Sequence, residues 1–245
     1  MGEQRHSRTT RRKGRAVSAP TRRDLGVLHA LGRMKLLSTR QIRTLFGWSQ
    51  STTNKRMRRL YDGGLASCFV PKLAGENVYG LARRGREALE SSGFTAGGVN
   101  LQVMTRLGKT NLAHLGLVND YWIWLATSVS DRTLIHFYPE AELRADSTSG
   151  LCPDAVFVLK DERGQAIYYA LEADLGTEPA RVLQGKIRKY QTAAISNYPV
   201  CEMPVQGVVF VTRTERRRAA IEELVRAAGA RNLVYVTRMQ SCEEF

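Results

Sequence analysis

The stretch Cys152-Pro153-Asp154-Ala155-Val156-Phe157-Val158-Leu159-Lys160, followed by Ala170-Leu171-Glu172-Ala173-Asp174-Leu175-Gly176-Thr177-Glu178 and by Lys186-Ile187-Arg188-Lys189-Tyr190, decides the fold of the chain's second half. The first two segments are short apolar runs bounded by Pro and Gly, which reads as two strands. Asp154 opens one strand and Glu172 closes the next. The third segment is a helix whose apolar stripe is Leu183, Ile187 and Tyr190, with Lys186 at its border. Two strand-end carboxylates and a returning lysine form the skeleton of a metal-dependent nuclease core.

Working outward, helical spacing of Leu112, Leu115, Val118, Trp122 and Leu125 predicts a core helix before these strands. Further strands are expected at 133–138, 155–160, 166–172, 207–212 and 233–237, with helices at 179–196 and 216–228. Antiparallel strands followed by an alternating α/β half predict a mixed sheet with helices on both faces. Upstream, Leu25, Leu28, Leu31 and Leu36 mark a first helix. Ser38 with Gln41 reads as a capping box opening a second. Ser49 or Ser51 caps a third, which Asp62-Gly63-Gly64 stops. Strand-like runs at 65–70 and 77–81 make a hairpin, and a helix from Arg83 to Ser91 follows. This order predicts a winged helix-turn-helix. The whole is an α+β and α/β two-domain chain: a basic tail at 1–20, the winged domain at 21–93, a linker at 94–109 and a mixed-sheet, restriction-endonuclease-like core at 110–245.

The formal charge of +14 and the pI near 10.1 favour a polyanionic partner. Arg5, Arg8, Arg11, Arg12, Lys13, Arg15, Arg22 and Arg23 face only Glu3 before residue 24. Such a tail, without apolar anchors, is expected to be disordered and to add phosphate contacts with little sequence information. It lacks the amphipathic face of a membrane helix, and no apolar run is long enough to span a bilayer. A cytoplasmic, nucleoid- or plasmid-associated protein is therefore expected. Cys68, Cys152, Cys201 and Cys242 are scattered without zinc-ligand spacing, as are His6, His29, His114 and His136. Gly108-Lys109-Thr110 lacks the upstream glycine of a phosphate-binding loop, since position 103 is Val103.

In a helix-turn-helix the second helix of the pair enters the major groove. Here Thr53, Met57 and Leu60 face the core, which leaves Gln50, Thr52, Asn54, Lys55, Arg56, Arg58 and Arg59 for the outer face. The hairpin adds Lys72, and the tail adds Arg11, Arg12 and Lys13. The expected partner is double-stranded DNA. A palindromic target would call for a homodimer, although nothing in the chain compels one.

In nuclease cores of the PD-(D/E)XK type, two carboxylates hold a metal ion and a lysine stabilises the attacking water or the developing charge. Asp154 and Glu172 are the candidate ligands for magnesium or manganese. Asp174 stands where the lysine is expected. Two readings stay open: Lys186 swings into the vacant place and the site cuts, or the site is silent and the acids are structural. Three acids without a cation repel one another, so a cation or a basic neighbour is expected beside them.

Pro153-Asp154-Ala155, the segment Leu171 to Glu178 and Lys186-Ile187-x-x-Tyr190 resemble the plasmid replication-relaxation family. The resemblance covers residues 24 to 240. It implies a winged helix joined to a divergent PD-(D/E)XK-like domain, and Glu140 as a further acid. It also implies a role in replication, relaxation or mobilisation of a plasmid or mobile element, beside a relaxase or replication protein. The expectation is a sequence-specific accessory or regulatory DNA-binding protein, non-catalytic; the alternative is a divalent-metal-dependent endonuclease or nickase.

Overall fold

In the computed structural model, residues 19–69, 76–94, 109–128, 134–143 and 150–239 are described. The chain divides into two compact units, Met1–Gly108 and Lys109–Phe245.

The first unit is built on short helices, three of which have their N-termini tied by side chains. Helix α1 (Arg22–Arg33) starts three residues before the apolar pattern does, because Thr21 is its N-cap and Asp24 closes a capping box with it. Helix α2 (Thr39–Phe46) opens on the Ser38–Gln41 capping box read from the sequence. It ends at Gly47, whose φ of 61° suits a residue without a Cβ. Helix α3 (Gln50–Asp62) is capped by Ser49. Strands β2 (Ala66–Phe69) and β3 (Val78–Leu81) pair antiparallel. A two-residue strand β1 (Leu37–Ser38), which no pattern announces, joins on the far side of β3. Helix α4 (Arg83–Glu90) completes the unit. Val27, Leu28, Leu31, Leu37, Ile42, Met57, Leu60 and Leu89 are its closed core. Gly85 is required there: a Cβ on it would lie 2.1 Å from the Leu65 carbonyl oxygen.

The second unit is a five-stranded sheet in the order β4-β5-β6-β7-β8. Helix α5 (Lys109–Ser128) precedes β4 (Leu134–Pro139), β5 (Ala155–Lys160) and β6 (Ala166–Asp174). Then α6 (Ala180–Ile195), β7 (Val205–Thr212), α7 (Glu215–Ala227) and β8 (Val234–Arg238) alternate. Strands β4 to β6 are antiparallel and β6 to β8 parallel, which makes the mixed sheet that the strand and helix order predicts.

The two-residue strand period sends successive side chains to opposite faces. On one face Phe157 and Phe137 meet Tyr121 and Trp122 of α5. On the other, Ala170, Val208 and Phe210 join Leu183, Ile187, Tyr190, Ile221 and Val225 of α6 and α7 in one core. Residues 172 and 174 share the parity of 170. Both acids therefore point towards α6 and α7, at the end of the strand where the apolar run stops. Cys201 is buried in this core, Cys68 is half-buried and Cys152 is exposed.

Candidate functional site

Among the described residues, two groups of side chains concentrate the polar chemistry, one in each unit. In the second unit, parallel pairing carries β6 past Glu172 to Asp174, where Ala173 and Asp174 still pair with Val211 and Thr212. Glu172 is buried, and both of its oxygens accept. Tyr190 Oη donates to Oε1 at 2.7 Å and Lys186 Nζ to Oε2 at 2.9 Å. Lys186 also donates to Glu178 Oε1 at 3.0 Å. Its position on the first turns of α6, beside the apolar stripe, is what brings it there.

Asp154 lies one residue before β5 and accepts the Ala173 N–H at 2.7 Å through Oδ2. Its Oδ1 lies 2.8 Å from His114 Nε2, brought in by α5. Asp174 does not join these groups. Arg217, in the first turn of α7, grips it with two bonds, Nε to Oδ1 at 2.9 Å and Nη2 to Oδ2 at 2.8 Å. The Gly176 N–H adds another bond to Asp174 Oδ1.

The charges follow from these contacts. Burial pushes the Glu172 carboxyl up, against the pull of Lys186. Burial works to lower Lys186, but the carboxylates of Glu172 and Glu178 outweigh it and hold the ammonium charged. The hydrogen bond to Asp154 raises His114 above 6.5, against the cost of burial. Burial and the Glu172 carboxylate drive the Tyr190 phenol well upward, so it remains a donor.

These residues can be tested as a metal centre. A divalent ion needs several oxygen ligands turned towards one point. All four carboxylate oxygens of Asp154 and Glu172 instead take a protein donor. Among the described residues, no three of His, Cys, Asp and Glu are grouped as a metal ion requires. In this arrangement the acids are satisfied by the protein's own donors. What the arrangement does chemically is pair acids with basic groups: Lys186 answers Glu172 and Glu178, His114 answers Asp154 and Arg217 answers Asp174. Of these, His114 and Arg217 were not singled out by the sequence reading. His114 is 40 residues from its partner and Arg217 is 43, separations across which neither hydrophobic period carries information.

In the first unit, Thr53, Met57 and Leu60 are buried as expected, and Gln50, Thr52, Asn54, Lys55 and Arg59 are exposed. Arg56 and Arg58 are half-buried. Arg56 turns inward to Asp24 Oδ1 at 2.6 Å and lies over the Trp48 ring. Arg58 pairs with Asp62 at 2.9 Å, one turn on. Arg59 Nη2 stands 3.6 Å from Asp24. Arg43 of α2, which the outer-face reading did not include, donates to Gln50 Oε1 at 3.2 Å. Lys72, Arg11, Arg12 and Lys13 lie outside the described residues.

Among the described residues, no helix is long and apolar enough to cross a membrane. No curated protein and no solved structure matches the chain. A family model described as replication-relaxation matches residues 28–208, a span that runs from within α1 through α6 and takes in the acidic cluster of β5 and β6. The chain belongs to the replication-relaxation family.

Proposed function

We propose that this protein is a sequence-specific DNA-binding accessory or regulatory factor of a plasmid or mobile element, acting in its replication, relaxation or mobilisation. In this reading the first unit is a winged helix-turn-helix with α3 as the groove-entering helix. The second is a PD-(D/E)XK-like core that has kept its strands and lost its metal site, and it serves to hold DNA or to recruit a relaxase or replication enzyme. The observation that carries the reading is the division of α3: Thr53, Met57 and Leu60 buried, and Gln50, Thr52, Asn54, Lys55 and Arg59 turned to solvent, in a chain of net charge +14. Lys55 and Arg59 suit phosphates, while the amides suit base edges. Family membership supplies the replication and relaxation context.

One observation favours a second reading, an endonuclease or nickase: Lys186 reaches Glu172, as a catalytic lysine would. Against it, every oxygen of the two expected ligands is occupied, and Asp174 is committed to Arg217. The test is incubation of supercoiled plasmid carrying the native locus with Mg²⁺ or Mn²⁺, using wild type, Asp154→Ala and Lys186→Ala. Binding is followed in parallel at several salt concentrations. Salt-sensitive binding without nicking is expected. Nicking that disappears in both variants while binding persists would establish the enzyme instead, and absence of DNA binding would remove the proposal altogether.

A further inference from the structure

We infer that Arg43, Gln50 and Asn54 form a pre-ordered, donor-rich edge that selects guanine in the major groove. The inference rests on the DNA-binding reading above and gives it a base. Gln50 and Asn54 stand four residues apart on one flank of α3, so they are neighbours one turn apart. With Arg58 they line the cleft between α3 and the hairpin, opposite Asn77 and Tyr79. Arg43 Nη1 donates to Gln50 Oε1 at 3.2 Å, and Gln50 Nε2 donates to Asn54 Oδ1 at 3.0 Å.

Direction is the important property of this chain of bonds. Each amide oxygen is engaged by the preceding member of the chain of bonds, which leaves the amide nitrogens to donate. An isolated Gln or Asn offers a donor and an acceptor equally and can flip to suit adenine. Here the Arg43 guanidinium, which has only donors, fixes the first amide, and the first fixes the second. The edge therefore offers N–H groups: the second hydrogen of Gln50 Nε2, both hydrogens of Asn54 Nδ2, and the rest of the guanidinium.

Guanine is the base that turns two acceptors, N7 and O6, into the major groove, whereas cytosine turns an amino donor there. A donor edge pairs with the first and opposes the second. The duplex also offers phosphate oxygens as acceptors. Lys55 and Arg59, exposed elsewhere on the helix, bring the charge that phosphates favour, and the neutral amides are left for a base.

The experiment is selection of binding sites from a pool of random duplexes by the full chain, as wild type, Gln50→Glu and Arg43→Met. Both substituted positions are at the surface or half-exposed, and folding is checked by a thermal melt alongside. Wild type should enrich guanine at a fixed position, and 7-deazaguanine there, which removes one of the two acceptors, should weaken binding roughly fivefold or more, the lower end of what a bidentate base contact is worth. Gln50→Glu turns an acceptor outward and should move the preference to cytosine, whose amino group donates. Arg43→Met releases the amides and should flatten the guanine preference. A methylphosphonate scan separates the other acceptor source: loss of binding at backbone positions, with no base enriched, would mean that the edge holds phosphate and would overturn the inference while the DNA-binding reading stands. Failure to retain any duplex at any salt would overturn both.

Discussion

Asp174 and Arg217 form a largely buried ion pair at the end of β6. The Asp174 side chain is 3% exposed and that of Arg217 is 19% exposed. Removing the guanidinium strands a buried carboxylate, which costs about 3 kcal/mol. Arg217→Met should therefore lower the stability of the second unit by about that amount in urea unfolding, and adding Asp174→Asn should recover most of it by removing the stranded charge. A loss under about 0.5 kcal/mol, the scale of an ordinary surface change, would show that the pair is dispensable. His114 carries a pH dependence of determined sign. Its folded value is raised above 6.5 by Asp154, so the imidazolium stabilises the fold. That contribution is complete below pH 6.5 and is lost as pH rises through the raised folded value. An NMR titration of the ring should give a value above 6.5 in wild type and closer to 6.5 in Asp154→Asn; an unchanged value in the variant would break the link. Neither contact was legible beforehand. Asp154 and Glu172 stand out in the sequence because Pro and an apolar run frame them, whereas His114 and Arg217 look like any polar residue of a helix face, and only the closing of the sheet selects them.

Elements were far more legible than contacts, for a physical reason. Strands β5 and β7 and helices α5 and α6 bury one face or both, so their hydrophobic period is enforced by the core and is visible in a single sequence. Where polar partners take over, the boundary is hidden. Strand β6 runs on through Ala173 and Asp174 because β7 pairs with them and α7 supplies an arginine; a reading based on apolar residues stops at Glu172. Strand β1 is invisible for a similar reason, being two residues held by pairing with β3 some 40 positions away. Helix α1 shows what local chemistry can add. Asp24, 0% exposed, accepts from the Thr21 N–H at 2.8 Å to cap α1 and from Arg56 at 2.6 Å to tie α1 to α3. Burial would raise its carboxyl, but the Thr21 and Arg56 hydrogen bonds prevail and lower it below 3.8. With the folded value depressed, the stabilisation is present above pH 3.8 and lost as pH falls through the folded value. Asp24→Ala should cost the first unit about 3 kcal/mol and flatten its acid transition, followed by circular dichroism. If α1 remains docked on α3 with unchanged acid sensitivity, the tie is not what holds them.

Charge is the property of the whole molecule that the fold leaves unused. Within the described residues much of it is internally answered: Arg56 by Asp24, Arg58 by Asp62, Lys186 by Glu172, Arg213 by Asp120 and Arg217 by Asp174. A net +14 nevertheless remains, and six of the basic residues, Arg5, Arg8, Arg11, Arg12, Lys13 and Arg15, fall within the first 18 positions beside the single acid Glu3. Each lysine or arginine that meets a phosphate releases counterions, so the slope of log K against log salt counts those contacts at about 0.9 apiece. Deleting residues 2–18 from the full chain should reduce that slope by up to about 5 if all six engage the duplex. The base preference inferred for Arg43, Gln50 and Asn54 should stay the same. The two quantities separate because phosphate contacts add affinity for any duplex while base contacts discriminate among them. A slope unchanged by the deletion would mean that the tail does not touch DNA and that its charge serves another partner or solubility alone. A slope reduced together with the base preference would mean that the tail positions the first unit on its site, and affinity and selectivity would then be coupled through the N-terminus.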